Sequence, residues 1–153
     1  MSEGLLITAR KLAKTTSQRP RQDDLKRAIS TAYYALFHEV AWTNADRLIG
    51  ASANRPRQAW RRTYRALNHN DAFKACGQLR QMRFPAGLVR VGDAFRSLQE
   101  QRHKADYDPT HRVTLADARD AIRSAENAIA TLKAADRKDQ TALAAQVLFK
   151  ARP

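Results

Sequence analysis

The sequence predicts an all-α protein: an up-and-down helical bundle of four to five main helices with short additional helices. Three observations predict it. Apolar residues recur at the three- and four-residue steps of a helix along most of the chain. No alternating run of four to eight residues rich in Val, Ile and Thr announces a strand. Only 5 Gly and 5 Pro occur in 153 residues, against the composition of a disordered chain or a Gly-rich β architecture. The length suits one domain with one sizeable core.

The first helix is expected from about Ser2 to Thr15, with Leu5, Ala9, Leu12 and Ala13 on one stripe, before a polar break through Ser17, Arg19 and Pro20. A second opens near Asp23 and Asp24, whose carboxylates suit a helix N-terminus. It carries Leu25, Ala28, Ile29, Ala32, Leu36 and Val40 on one face and extends to Leu48 before Gly50. Asn54 is expected to cap a third helix with Pro56 in its first turn and Trp60, Tyr64 and Leu67 as its apolar stripe. A short fourth helix is expected over Asp71–Arg83, interrupted by Gly77, and a long fifth over Pro85–Tyr107, where Leu88, Val91, Phe95 and Leu98 keep the period and Asp108-Pro109 stops it. Thr114 and Asp117 form a capping-box pattern ahead of Leu115, Ala118, Ile122, Ala125, Ile129 and Leu132. A last helical segment is expected over Asp139–Lys150. Residues 1–135 read as the bundle and 136–153 as a C-terminal helical extension or tail, with the stretch from Ala134 to Gln140 as the candidate hinge.

The charge is strongly positive: 28 Lys and Arg against 15 Asp and Glu give +13. Such a chain attracts polyanions. The excess concentrates between Arg55 and Arg90, where nine basic residues face Asp71 alone. Arg57, Arg61 and Arg65 fall at four-residue intervals with Arg62 beside them, a stripe that nucleic acid or an acidic protein would neutralise. Trp60 and Tyr64 run parallel to it, either stacking on bases or facing the core. No apolar run reaches the roughly 18 to 20 residues of a membrane span, and Met1-Ser2-Glu3-Gly4 lacks the basic start of a secretory signal, so the expectation is a cytoplasmic protein with no membrane partner. Cys76 is alone, a small apolar side chain rather than half of an internal disulfide. Four scattered His and no His-Glu-x-x-His spacing offer no metal site, and no cofactor is expected.

The second helix has two specialised faces. With Arg27 at zero, Thr31 falls at about 40°, Tyr34 at about −20° and His38 at about 20°, opposite the Leu25, Ile29, Ala32 and Leu36 stripe. A solvated back face would carry Glu, Lys and Gln. This one carries Arg, Thr, Tyr and His, either as satisfied polar residues in a crowded bundle or as a groove or dimer seam where Arg27 meets an anion and His38 supplies a titratable hydrogen bond.

The run Arg27-Ala-Ile-Ser-Thr-Ala-Tyr-Tyr-Ala-Leu-Phe-His38, followed by Arg102-His-Lys-Ala-Asp-Tyr-Asp-Pro109, resembles the HEPN family of small helical proteins over roughly Leu5 to Lys133. The resemblance implies a four- or five-helix bundle that dimerises. It also implies binding of RNA or a nucleotide. Many members act as metal-independent ribonucleases or toxins, partnered by a minimal nucleotidyltransferase antitoxin, and use an Arg with four to six intervening residues before a His; others have lost catalysis. Here Arg102 takes the place of the motif arginine, while Asp106-Tyr107 stand near the place of the motif histidine, a divergent pattern.

The family's chemistry requires a base for the 2′-hydroxyl, an acid for the leaving oxygen and a cation for the phosphate. The candidate catalytic residues are therefore Arg102, for the phosphate, His38 or His103, for proton transfer, and Asp106, which lines the site with them. Arg27, Tyr34, Tyr107, Arg57, Arg61, Arg62 and Arg65 are the candidate nucleic-acid-binding residues. Arg102 and Asp106, four apart on a helix, read in the first place as an intrahelical ion pair. Tyr107 either hydrogen-bonds a phosphate or packs between helices. His111 and the pair Arg96 and His103 are weaker alternatives by spacing. From a different class comes a noncatalytic homodimer whose second-helix face is the seam and whose basic helix docks an acidic partner.

Overall fold

Seven helices and no strand make up the described residues of the computed structural model, 1–14 and 21–152: α1 (Ser2–Ala13), α2 (Gln22–Leu48), α3 (Arg57–Ala66), α4 (His69–Cys76), α5 (Ala86–Tyr107), α6 (Leu115–Ala134) and α7 (Arg137–Leu148). The expected first-helix end at Thr15 and the break through Ser17, Arg19 and Pro20 lie outside the described residues. Among the described residues no helix is long and apolar enough to cross a membrane.

Helix α2 is the hub, packed against α1, α3, α5, α6 and α7. The stripe Leu25, Ala28, Ile29, Ala32, Leu36 and Val40 is buried, as its spacing requires. Each fully buried Leu or Ile there contributes on the order of 1.5–3 kcal/mol of transfer free energy. The same helix also buries Tyr33, Ala35, Ala41 and Ala45, so it is covered on more than one side. Small alanines let its neighbours approach closely. Helices α5 and α6 close the bundle with Leu88, Val91, Phe95 and Leu98 from one and Ala118, Ile122, Ala125, Ile129 and Leu132 from the other. The capping box of α6 is complete: Thr114 Oγ1 accepts from the Asp117 amide at 3.0 Å, and Asp117 Oδ2 accepts from the Thr114 amide at 2.8 Å.

A buried carboxylate fastens three helices. Glu39 accepts from Ser2 Oγ at 2.6 Å and lies 3.9 Å from Lys133 Nζ, tying α2 to α1 and α6.

Three boundaries differ from the sequence expectation. Asn54 makes no side-chain cap on α3; Pro56 occupies the N-cap position, and Leu67 ends the helix as a buried C-cap. The reason is Arg55, whose guanidinium lies 4.3 Å from the Trp60 ring and 3.3 Å from Asp46, fixing the approach to α3 one step beyond Asn54. Helix α4 is shorter and earlier than Asp71–Arg83. Asn68 caps it, accepting from the Asp71 amide at 2.8 Å, and the chain leaves the helix at Gly77 and turns until Arg83, which adopts a left-handed φ of 60°. Finally, the candidate hinge narrows to Ala135 and Asp136. Gln140 crosses it, donating from Nε2 to the Leu132 carbonyl at 2.7 Å, and α7 buries Leu143, Ala144 and Val147 against α2 and α4.

One close approach depends on a missing side chain. A Cβ on Gly92 of α5 would stand 2.7 Å from Leu79 Cδ1 and 3.0 Å from the Cys76 carbonyl oxygen, so the end of α4 lies directly on the α5 backbone.

Candidate functional site

Periodicity places Ser30, Tyr34 and His38 on one side of α2, and the fold sets the C-terminal half of α5 against the first part of that side. Arg102 is buried there. Its Nη1 donates to the Tyr34 hydroxyl at 3.3 Å and lies 3.6 Å from Asp106 Oδ2. The guanidinium carbon stands 5.1 Å from the Tyr33 ring centre and 5.6 Å from that of Tyr34, within cation–π range of both. Its Nε is buried without a hydrogen-bond partner among the described residues. Asp106 also accepts from Ser30 Oγ at 3.3 Å. The ion pair that the four-residue spacing allows is present, but it is long and open to solvent on the Asp106 side, so the cation is only partly neutralised.

Next to this arginine lies an aromatic and imidazole cluster. Tyr33 is fully buried, and its hydroxyl meets His69 Nδ1 at 2.6 Å and Gln99 Oε1 at 3.3 Å. His69, the first residue of α4, stacks on Phe37 with ring centres 4.4 Å apart. His38 Nδ1 is hydrogen-bonded to the Tyr64 hydroxyl, which joins α2 to α3. Burial is the main reason that both histidines ionise below the ordinary imidazole value. The Met1 amino group adds to the effect at His38, and the Arg102 and His38 charges add to it at His69. Burial likewise pushes the Tyr33 phenol up, against the pull of Arg102. Two neutral imidazoles, three phenols and one partly neutralised guanidinium therefore share one region.

The remaining sequence candidates are dispersed around it. Arg27 is exposed and borders an open groove of about 460 Å³ at the start of α2, lined also by Arg21 and Lys26 and by the carboxylates of Asp23, Asp24 and Asp106. Eleven residues separate it from His38, about 16 Å along the helix, so the two cannot contact one phosphate together. His103 is exposed, and among the described residues its ring packs on Tyr107 alone, at a ring distance of 4.9 Å. Tyr107 is 66% exposed, so the packing alternative for it does not hold. His111 lies beyond the helix end, where Asp108 holds the turn by accepting from the Thr110 amide and hydroxyl.

On α3, Arg57, Arg61, Arg62 and Arg65 are all exposed, and none makes an ion pair among the described residues. The aromatic stripe faces inward: Trp60 is buried, donates from Nε1 to Asp46 at 2.9 Å and stacks on Tyr64. Trp42 of α2, which packs edge-on against Trp60 and is 42% exposed, is the aromatic with an open face there.

Sequence reasoning missed His69, Tyr33 and Gln99. Tyr33 falls on the core side of the wheel, and Gln99 carries no signal of its own. His69 had one: Asn68 with Asp71 three residues later is a capping pattern that puts the histidine in the first turn of α4. Among the described residues no cluster of three His, Cys, Asp or Glu side chains could hold a metal ion. Burial pushes the Cys76 thiol up to about 12, which makes it an inert core residue. No protein-family model, no curated protein and no solved structure matches the chain.

Proposed function

We propose that this chain is a HEPN-like helical domain that binds RNA and cleaves it without a metal ion, with Arg102 as the contact to the scissile phosphate. The observation that carries the reading is the state of Arg102: a buried guanidinium with an unpartnered Nε and only long contacts to Tyr34 and Asp106, beside histidines that burial keeps neutral. A phosphate would supply the short charge-assisted bonds this arginine lacks. A neutral imidazole is the form that accepts the 2′-hydroxyl proton. The exposed arginines of α3 would hold the flanking strand, and Arg27 would meet a phosphate further along α2.

The family resemblance extends the proposal to a homodimer acting in the cytoplasm, with a minimal nucleotidyltransferase as antitoxin partner. The test is cleavage of a fluorescent oligoribonucleotide in EDTA by wild type and Arg102→Ala. Cutting by wild type alone supports the reading; equal cutting by both removes Arg102 from it.

A second reading has its own observation. Four exposed arginines on one ten-residue helix, without ion pairs among the described residues, also fit the acidic face of a partner protein. In that case RNA binding would be absent while an acidic polypeptide still bound.

A further inference from the structure

We propose that the general base of this site is His69, held in its base form by a hydrogen-bonded chain through Tyr33 to Gln99; the inference rests on the ribonuclease reading above. Asp106 stands near the expected place of the histidine on α5 and is engaged by Arg102 and Ser30. His69 comes instead from the start of α4, and its ring lies 5.6 Å from the ring of Tyr33 and 5.9 Å from that of Tyr34, the two phenols over which Arg102 is placed.

The tautomer proposed is the one in which both contacts of the Tyr33 hydroxyl are used. Gln99 Oε1 is only an acceptor, and in this arrangement the Tyr33 proton is directed to it at 3.3 Å. The Tyr33 oxygen then accepts, and the group that donates to it at 2.6 Å is the Nδ1–H of His69. That arrangement uses both the donor and the acceptor of a fully buried hydroxyl. The opposite one, with Tyr33 donating to Nδ1, leaves Gln99 Oε1 without the Tyr33 proton. With the proton on Nδ1, the lone pair of Nε2 is free, and that atom has no hydrogen-bond partner among the described residues. A base, a hydroxyl that orients it and a third group that orients the hydroxyl form a relay of the kind that fixes catalytic histidines. The groups facing the ring that carry or can take up charge are the Arg102 guanidinium from α5 and the His38 imidazole from α2.

In the step itself the 2′-O–H bond breaks and its proton passes to His69 Nε2. The 2′-oxygen forms its bond to phosphorus as the bond from phosphorus to the 5′-oxygen breaks. The 5′-oxygen takes a proton from solvent water, the imidazolium returns its own to solvent, and the products are a 2′,3′-cyclic phosphate and a 5′-hydroxyl. Tyr33 and Gln99 are positioning residues.

Two measurements test this on the full chain. Long-range proton–nitrogen correlation spectra at pH 7.5 are expected to show His69 protonated on Nδ1; protonation on Nε2 overturns the proposal whatever the activity. In EDTA, His69→Gln is expected to lower kcat by about 100-fold or more, with oligoribonucleotide affinity by fluorescence anisotropy kept within about threefold. Tyr33→Phe, which keeps the ring in the core, is expected to lower kcat about tenfold and displace the acid limb of the pH profile of kcat/KM. Undiminished cleavage by His69→Gln overturns the proposal. A wild type that binds RNA without cutting it overturns the ribonuclease reading instead, and the nitrogen spectra still decide the tautomer.

Discussion

Arg102 donates to the Tyr34 hydroxyl at 3.3 Å, joining α5 to α2 across 68 residues of sequence. A buried cation with a long ion pair and an orphaned Nε contributes little net stability, because desolvation opposes its attractions. Arg102→Met should therefore leave urea-unfolding stability unchanged or raise it by up to about 1–2 kcal/mol. The same variant should weaken RNA binding at least tenfold, about 1.4 kcal/mol. A loss of several kcal/mol in stability would mark Arg102 as a structural residue.

The arginine stripe on α3 makes a prediction about salt. If Arg57, Arg61 and Arg65 each contact a phosphate, replacing all three with Gln should reduce the slope of log affinity against log salt by about 2, since each contact on a single strand contributes roughly 0.7. Because all three are exposed, the melting temperature should stay near that of wild type. An unchanged slope would remove α3 from the nucleic-acid surface.

Acid should destabilise the fold before the carboxylates titrate. His38 and His69 have folded pKa values below the unfolded value, so the unfolded chain binds more protons as the pH falls through 6.5. Stability is thus complete above that value and declines toward the lower folded pKa values. Urea titrations at pH 7.5, 6.5 and 5.5 should show this decline, and the double variant His38→Asn, His69→Asn should flatten it. A flat wild-type profile would contradict the burial of these rings.

The α6 cap offers a test independent of function. Thr114→Ala removes the acceptor for the Asp117 amide and should cost about 1 kcal/mol, whereas Thr114→Gly should cost only a few tenths. Equal losses would mean that the capping bond is not what stabilises this end.

Ser2 presents a buried version of the same test. Its hydroxyl is the short donor to Glu39, so Ser2→Ala leaves a buried carboxylate with only the distant Lys133 and should destabilise the fold by about 1–3 kcal/mol. Chemical denaturation measures it, and a silent substitution would show that Glu39 is rehydrated.

Helices α2, α5 and α6 were legible because each buries a continuous stripe, and a stripe is a property of spacing alone. The start of α3 was not, because the grip of Trp60 and Asp46 on Arg55 is a tertiary contact between α2 and the turn before α3. For the site, the wheel placed Tyr34 and His38 on the side of α2 opposite its apolar stripe, and the second motif supplied Arg102 and Asp106. His69 and Gln99 come from α4 and α5, and only the packing of those helices on α2 and on each other brings them to one phenol. Tyr33 was hidden by its own burial, since a fully enclosed tyrosine reads as core until its hydroxyl is seen to have two partners.

The bare backbone at Gly92 reaches further than its size implies. The end of α4 rests on that spot, and the opposite end of the same short rod carries the imidazole that Tyr33 grips. One added methyl would act as a shim under the far end of a stiff beam, tipping His69 out of alignment while every side chain around Arg102 kept its identity. The placement of His69 thus depends in part on the missing side chain at Gly92, about two helical turns away along α4.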